Sequence, residues 1–251
     1  MIDGLKVSLV IPCRNEEETL GELLQSIPPE VDEVVIADNR SKDRTAAIAT
    51  AHGAIVVNEP RVDAAGIGYG YALQSGIGRS TGDIIVTMDA DGTYPVFRVP
   101  ALVHELVERN LDFISCRRLP RLEPEDKLWI RIAGVVALNV ATRVLYGYPM
   151  RDSLSGMNVF RRERFASIPF NEGGWNFCLE LKLAALVNPA IRFAEVHIPY
   201  HDRVDNNLSK QQIFKTGFGH LWYLFRYRWT KVRRATSRPR AAMVKLGEER
   251  V

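Results

Sequence analysis

Residues 84–92 read IIVTMDADG, a mostly apolar run that ends in two carboxylates one residue apart. Such a run is typical of a strand that is buried on both faces, as in a parallel sheet. Asp89 and Asp91 follow this strand directly, at the end where doubly wound α/β sheets bind their ligands. Paired carboxylates suit Mg²⁺ or Mn²⁺ ions that bridge phosphates. This stretch therefore predicts both a class of fold and a metal site.

Similar β-branched runs recur along the first half of the chain, at 7–11, 34–37, 55–57 and 113–115. Helical patterns lie between the runs, at 16–27, 43–52, 72–79 and 97–109. Strands that alternate with helices predict a doubly wound, mostly parallel, Rossmann-like α/β sheet. Polar residues that directly follow the strands are therefore candidates for ligand binding.

The composition is that of a globular protein, with 46% hydrophobic and 25% charged residues among 251. It excludes a disordered chain and a collagen-like repeat. Three cysteines that are far apart and lack C-x-x-C spacing exclude a disulfide scaffold and do not indicate structural zinc. The first six residues lack the basic-then-apolar order of a secretion signal, which predicts a cytoplasmic protein.

The net charge of +3 is unevenly distributed. From residue 203 onward, twelve Lys or Arg residues accompany three acids, so the preceding part of the chain is acidic. A basic C-terminal segment on an acidic body indicates an anionic partner, either nucleic acid or the inner face of a membrane. A solvated tail without a partner is the alternative.

Two further helical segments follow residue 117, where the regular alternation stops. The apolar stretch of the first, 128–146, is shorter than the about 20 residues that a helix needs to span a bilayer. This segment is therefore a core helix or a helix that rests on a membrane. The second, 211–229, mixes aromatic with basic residues, as helices at membrane interfaces do. The chain is therefore divided into a domain of residues 1–212 and a C-terminal amphipathic segment, 213–251.

Polar residues also follow the first two predicted strands. Segment 12–16, PCRNE, follows the first strand, and segment 38–45, DNRSKDRT, follows the second. Asp38 stands one step beyond its strand, where its carboxylate is placed to accept hydrogen bonds from a base or a ribose. Three neighbouring strand ends thus present polar groups to one edge of the sheet.

These segments resemble the inverting glycosyltransferases of family 2, which have the GT-A fold. The resemblance rests on IPCRNE (11–16), DNRSKDRT (38–45), GIGYG (66–70), TGD (81–83) and MDADG (88–92). Within the family the chain is similar to polyprenyl-phosphate and dolichyl-phosphate sugar synthases. This narrower likeness rests on DSLSGMNVF (152–160), WNFCLE (175–180), HDR (201–203) and SK (209–210).

The resemblance implies a role for each matching position around a nucleotide-sugar donor. Pro12, Arg14 and Glu16 would border the nucleotide, and Asp38 would contact its base. Asn39 stands where the family's D-D-x-S pattern has a second Asp.

Asp89 and Asp91 would hold Mg²⁺ or Mn²⁺ on the donor diphosphate, where the metal neutralises charge as the glycosidic bond breaks. A lipid-phosphate acceptor is ionised near neutral pH, so it needs cations to position it more than it needs a base. The predicted cations are Arg117, Arg131, Arg203 and Lys210.

The predicted function is transfer of a hexose from a UDP- or GDP-sugar to a polyprenyl phosphate on the cytosolic leaflet. The protein would bind peripherally to an anionic membrane surface or to a membrane subunit, with no nucleic acid as partner. One alternative is a soluble enzyme with a hydroxyl acceptor, which requires a base such as Glu180 or Asp152. Another is an inactive subunit that binds a nucleotide sugar.

Overall fold

Seven strands form one sheet in the computed structural model, which describes residues 1–118, 128–166, 168–200 and 213–232. The strands are β1 (Val7–Cys13), β2 (Glu33–Asp38), β3 (Ile55–Asn58), β4 (Ile84–Thr87), β5 (Phe113–Arg117), β6 (Asn158–Arg161) and β7 (Phe193–His197). Across the sheet they lie in the order β3-β2-β1-β4-β6-β5-β7.

The helices lie between the strands and at the C-terminal side of the described chain. They are α1 (Glu17–Gln25), α2 (Thr45–Ala51), α3 (Tyr69–Arg79), α4 (Val99–Glu108), α5 (Leu128–Tyr146), α6 (Arg162–Phe165), α7 (Phe177–Val187) and α8 (Ile213–Tyr227). A 3₁₀ turn, Val96–Arg98, precedes α4, and a π-helical turn, Arg228–Val232, continues α8.

The sheet is parallel except at one strand. β1 pairs in parallel with β2 and β4, β2 pairs in parallel with β3, and β5 pairs in parallel with β7. Strand β6 runs antiparallel between β4 and β5. The mostly parallel, doubly wound sheet is therefore confirmed, whereas the sequence pattern did not predict β6.

Successive residues of a strand point to opposite faces, so β1 supplies two apolar layers. Leu9 and Ile11 pack in one cluster with side chains of α1, α2 and α4. Val10 packs on the other face with side chains of α3 and α7. Because helices cover both faces, every residue of β1 is buried, which accounts for its mostly apolar sequence.

Helices α5 and α8 pack against each other and enclose a third apolar cluster. Leu138 of α5 and Tyr223 of α8 belong to this cluster, and Tyr146 Oη donates a hydrogen bond to the Leu224 carbonyl oxygen at 2.7 Å. The predicted helix at 128–146 has the predicted bounds. Within the described residues, no helix is both long and apolar enough to cross a bilayer.

The predicted division into two domains remains a prediction. Its boundary at residue 212 adjoins residues 201–212, which lie outside the described part of the chain.

Candidate active site

The carboxyl ends of β2, β1 and β4 lie side by side at one edge of the sheet. Asp38 at the end of β2 pairs with Cys13 at the end of β1, and Thr87 of β4 pairs with Val10. The segments that follow these strands therefore start from neighbouring positions. This edge brings the three predicted polar segments together.

The segment that carries the two carboxylates after β4 is held by hydrogen bonds from α1 and from its own next residues. Thr19 Oγ1 of α1 donates to the Ala90 carbonyl oxygen at 2.9 Å. Asp91 Oδ1 accepts hydrogen bonds from Thr93 Oγ1 at 2.6 Å and from the Thr93 backbone N–H at 3.2 Å. The turn thus orients Asp91 through its own neighbours, while α1 anchors the residue between the two carboxylates.

Asp89 is half-buried and is oriented by a tyrosine from α3. Tyr69 Oη donates a hydrogen bond to Asp89 Oδ1 at 2.8 Å. Burial and the negative charge of Asp91 raise the pKa of Asp89 to about 6, although the Tyr69 hydrogen bond and the charge of Arg118 lower it. The negative charges of Asp89 and Asp91 therefore lie close enough to repel each other.

The two carboxylates fit a divalent cation that shares its coordination with phosphates. Among the described residues, no group of three or more His, Cys, Asp or Glu side chains could hold a metal ion by itself. Mg²⁺ is usually bound by one or two carboxylates and completes its shell with water and substrate phosphates. Asp89 and Asp91 supply that number of ligands, and a bound cation would relieve the crowded charge that raises the pKa of Asp89.

Asp38 presents an unused acceptor at the same edge. Its side chain is buried, and within the described structure its Oδ1 atom has no hydrogen-bond partner. A buried carboxylate oxygen without a partner is costly, which suggests that a ligand supplies the missing donor.

The contacts of Asn39 account for an amide at the position where the family pattern has an aspartate. Its Nδ2 donates hydrogen bonds to the carbonyl oxygens of Glu59, at 2.7 Å, and Arg61, at 2.9 Å. A carboxylate has no N–H to donate, so an aspartate could not make these two contacts. The amide therefore ties the end of β2 to the segment that follows β3.

Segment 12–16 is linked to the two neighbouring loops. Arg14 Nη1 donates to the Gly66 carbonyl oxygen at 2.9 Å, and the Glu16 backbone N–H donates to Thr45 Oγ1 at 2.9 Å. Pro12 is buried within β1. The structure thus brings the predicted nucleotide-bordering residues to the same edge as Asp38.

Asp152, one of the two candidate bases, forms a buried ion pair with Arg118. Arg118 Nε and Nη2 donate to the two carboxylate oxygens at 2.9 and 3.0 Å. Burial favours the neutral acid, but the Arg118 charge and hydrogen bonds lower the pKa of Asp152 to about 2. A carboxylate with so low a pKa is a weak proton acceptor near neutral pH.

Glu180, the other candidate base, is buried on α7 and faces a loop. Its carboxylate accepts hydrogen bonds from the backbone N–H groups of Asn171, at 3.1 Å, and Glu172, at 3.0 Å. Burial raises the pKa of Glu180. These contacts give the carboxylate a structural partner in the 171–172 segment.

Of the four predicted phosphate-binding cations, the structure describes the side chain of one. Arg117 lies at the end of β5; burial and the charge of Arg151 lower its pKa, whereas Glu195 raises it. The side chain of Arg131 lies outside the described part of the chain, as do Arg203 and Lys210.

Sequence reasoning missed several polar residues that the structure brings to the site, among them Tyr69 and Lys182. Tyr69 contacts Asp89, as described above. Lys182 is completely buried on α7, and its Nζ donates to the carbonyl oxygens of Asp152, at 3.1 Å, and Ser155, at 2.8 Å. The available signal was a lysine within the apolar run of residues 177–187, a position that needs buried partners.

The whole fold corresponds to that of a solved glycosyltransferase. Glucosyl-3-phosphoglycerate synthase of Mycobacterium tuberculosis, in complex with UDP, superimposes with a TM-score of 0.69 at 25% identity, covering 90% of this chain and 81% of that chain. The fold is therefore the predicted GT-A fold. A family model described as Glycosyl transferase family 2 matches residues 8–168, and the chain belongs to this family.

Curated relatives cover most of the chain. An uncharacterized glycosyltransferase of Mycobacterium tuberculosis is 34% identical over 200 residues, 80% of this chain and 87% of the relative. Dolichyl-phosphate hexose transferase of Haloferax volcanii is 33% identical over 204 residues, 78% of this chain and 83% of the relative. Dodecaprenyl-phosphate galacturonate synthase of Rhizobium johnstonii is 26% identical over 223 residues, 86% and 64% of the two chains. The predicted family and enzyme class, a glycosyltransferase, are confirmed.

Proposed function

We propose that the protein is an inverting, metal-dependent hexosyltransferase that moves a hexose from a UDP- or GDP-sugar to a polyprenyl phosphate. The observation that carries this proposal is the edge formed by Asp38, Asp89 and Asp91. At this edge, a buried acceptor that has no partner among the described residues lies near a carboxylate pair that fits a cation. A nucleoside diphosphate has complementary chemistry, namely N–H or hydroxyl donors at one end and cation-binding oxygens at the other.

On the donor side, Asp38 would accept a hydrogen bond from the base or ribose, and Asp89 and Asp91 would hold Mg²⁺ or Mn²⁺. The cation supplies neutralisation of the charge that develops on the leaving diphosphate. The structurally similar glucosyl-3-phosphoglycerate synthase has been solved with Mn²⁺ and UDP, which supports this assignment. Pro12, Arg14 and Glu16 would border the nucleotide.

On the acceptor side, the state of the two candidate bases favours a phosphate. Asp152 is paired with Arg118, and Glu180 accepts backbone hydrogen bonds. A phosphate oxygen is already ionised and needs no base, only cations that orient it. Two relatives are named for dolichyl phosphate and dodecaprenyl phosphate, which have this chemistry. Arg117, Arg131, Arg203 and Lys210 are the proposed cations.

A second candidate function keeps the donor and replaces the acceptor. The solved glucosyl-3-phosphoglycerate synthase has been crystallised with phosphoglyceric acid, a small acceptor in water. A hydroxyl acceptor would need Glu180 as a base, and burial raises the pKa of this carboxylate, which makes it a stronger proton acceptor.

A membrane surface is the proposed partner, because α8 exposes large apolar side chains. Phe218, Trp222 and Phe225 of α8 share one helical face with Trp229 of the following π-helical turn, and the four side chains are between 47% and 74% exposed. On α5, a second stripe of valines is exposed at positions 136, 140 and 144. Aromatic side chains beside the exposed Arg226 of α8 and Lys231 of the following turn suit the headgroup region of a cytosolic, anionic leaflet.

Transfer from a panel of radiolabelled nucleotide hexoses to a polyprenyl phosphate tests the proposal, with product recovered in the organic phase. We expect Asp91→Asn to lower transfer at least about 100-fold, because the leaving diphosphate loses stabilisation. The variant keeps the size of the side chain and its contact with Thr93. Glu108→Gln, which removes an exposed carboxylate on α4, is the matched control.

Three outcomes would contradict parts of this proposal. Full transfer by Asp91→Asn at saturating Mn²⁺ would exclude the metal role. Product that stays in the aqueous phase and disappears with Glu180→Gln would favour the hydroxyl acceptor. Donor binding without transfer or hydrolysis would indicate an inactive subunit.

A further inference from the structure

Tyr69 is the first residue of α3 and reaches the carboxylate pair from outside the strand-end segments. The chain turns into α3 through Gly66, at φ +75°, and Gly68, where a Cβ would collide with the Asn39 side chain. This turn places the phenol beside Asp89, with Tyr69 Oη 2.8 Å from Asp89 Oδ1. Nothing in the sequence resemblance assigns a role to this tyrosine.

The phenol of Tyr69 is fixed by contacts from α7 and the segment before it. Its ring lies 4.9 Å from the ring of Trp175, measured between centroids. Cys178 Sγ donates to Tyr69 Oη at 3.4 Å, which leaves the phenol proton for Asp89. At Gly156, an added Cβ would lie 3.0 Å from Tyr69 Oη, so the backbone also closes the space around the hydroxyl.

We propose that Tyr69 is a positioning residue that fixes the orientation of the Asp89 carboxylate, which would hold the metal–diphosphate group. This inference rests on the proposed function of the Asp89–Asp91 pair. The phenol hydrogen bond uses one lone pair of Asp89 Oδ1 and fixes the plane of the carboxylate, which sets the direction of the lone pairs that remain for a cation. Partners that orient a metal ligand in this way typically change metal affinity or activity by about 10- to 100-fold.

The test uses Tyr69→Phe in the full-length protein, because phenylalanine keeps the ring beside Trp175 and removes only the hydroxyl. Free Mn²⁺ is measured by electron paramagnetic resonance in the presence and absence of UDP. We expect the dissociation constant of Mn²⁺ to rise about tenfold. Metal-free UDP binding and the unfolding temperature should stay at the wild-type values, and the KM for Mn²⁺ in transfer should rise more than the KM for the donor.

Tyr71→Phe is the matched control, since Tyr71 lies two residues away on α3 and stacks under Arg61. It should bind Mn²⁺ like the wild type. Wild-type Mn²⁺ affinity in Tyr69→Phe would overturn the inference. Equal losses of Mn²⁺ binding, UDP binding and stability would also overturn it, because they indicate a purely structural role.

Asp91→Asn separates this inference from the proposed function. If wild-type protein binds Mn²⁺ with UDP and Asp91→Asn does not, the metal site stands whatever Tyr69→Phe shows. If the wild type binds no Mn²⁺ with UDP, the proposed metal-dependent function is wrong, and the role of Tyr69 is wrong with it.

Discussion

Gly156 lets the backbone of the 152–157 segment pass directly against Asp89. A Cβ at this position would lie 2.8 Å from Asp89 Oδ2 and 2.9 Å from Oδ1, distances too short for carbon and carboxylate oxygen. The glycine is therefore required by close approach and not by a left-handed backbone. The same segment is anchored by Lys182, whose ammonium group binds the Ser155 carbonyl oxygen.

Gly156→Ala should displace the Asp89 carboxylate and lower transfer by at least about tenfold, the smaller of the effects typical of groups that orient a metal ligand. Steady-state transfer at several Mn²⁺ concentrations measures this effect. Gly78→Ala is the control, because its Cβ would meet no atom within 4 Å and α3 would gain a better helix former. That control should keep full activity and gain about 0.4–1 kcal/mol of stability. Equal activities of the two variants would contradict the close approach at Gly156.

Individual residues differ in how far their position in the fold was readable from the sequence. Asp38 and Asp89 could be placed at one edge of the sheet because each follows the apolar run of a strand, and Asp91 stands two residues beyond Asp89. Tyr69 could not be predicted, because its partner Asp89 is twenty residues away and belongs to another element. Arg118 was also missed: a buried pair with Asp152 depends on a contact across 34 residues.

Among the secondary-structure elements, β5, β7 and α6 are joined through the buried carboxylate of Asp112. Arg192 donates to it through Nε at 2.9 Å and Nη2 at 3.1 Å, and Arg164 donates through Nε at 3.1 Å. These hydrogen bonds and charges lower the pKa of Asp112 against the opposing effect of burial. The Asp112 carboxylate thus holds the starts of β5 and β7 together and ties α6 to them.

Asp112→Asn should lower the free energy of unfolding by about 3 kcal/mol, because arginines in a partly buried site lose their counter-charge. Urea unfolding at pH 7 measures the change. Arg44→Gln, which removes an exposed ion pair with Glu17, should change stability by less than about 1 kcal/mol. A loss of the same size in both variants would contradict a special role for Asp112.

The stability difference between wild type and Asp112→Asn should depend on pH in a defined direction. The pKa of Asp112 is lower in the folded protein than its ordinary value of 3.8, so the folded state favours the ionised form. The stabilisation is complete above that value and is lost as the pH falls through the lower, folded pKa. Unfolding curves between pH 7 and the acid range should therefore converge at low pH.

Strand β6 shows why one element escaped prediction. It has four residues, begins with Asn158 and ends with Arg161, so it lacks the apolar run that marks the other strands. Its strand conformation comes from pairing with β4 on one side and β5 on the other. Such pairing depends on elements more than forty residues away along the chain.

At the scale of the whole molecule, the exposed face of α8 and the basic C-terminal charge predict binding to anionic vesicles. Replacing Phe218 and Trp222 together with serine should weaken vesicle binding at least about tenfold, since each buried aromatic side chain contributes about 1.5–3 kcal/mol. Sedimentation with phosphatidylglycerol vesicles measures the fraction of protein that is bound. Raising the salt concentration should weaken wild-type binding as well, because charge attraction is screened.

Phe97→Ser is the control for this experiment. Phe97 is 62% exposed, close to the 63% of Trp222, but it lies on the 3₁₀ turn before α4. The control should bind vesicles like the wild type, and the double variant should still transfer hexose to a short, water-soluble prenyl phosphate. Unchanged vesicle binding by the double variant would remove α8 as the membrane contact.

The alternation of strands and helices in the first half of the chain, and the placement of Asp38, Asp89 and Asp91 at one edge of the sheet, were predictable from the sequence. These features are local, since periodicity defines a buried strand and the next residues lie at its end. The tertiary structure alone decided the antiparallel strand β6, the contact of Tyr69 with Asp89 and the burial of Lys182. Each of these depends on how distant segments pack across one sheet, and no local pattern of residues specifies such a contact.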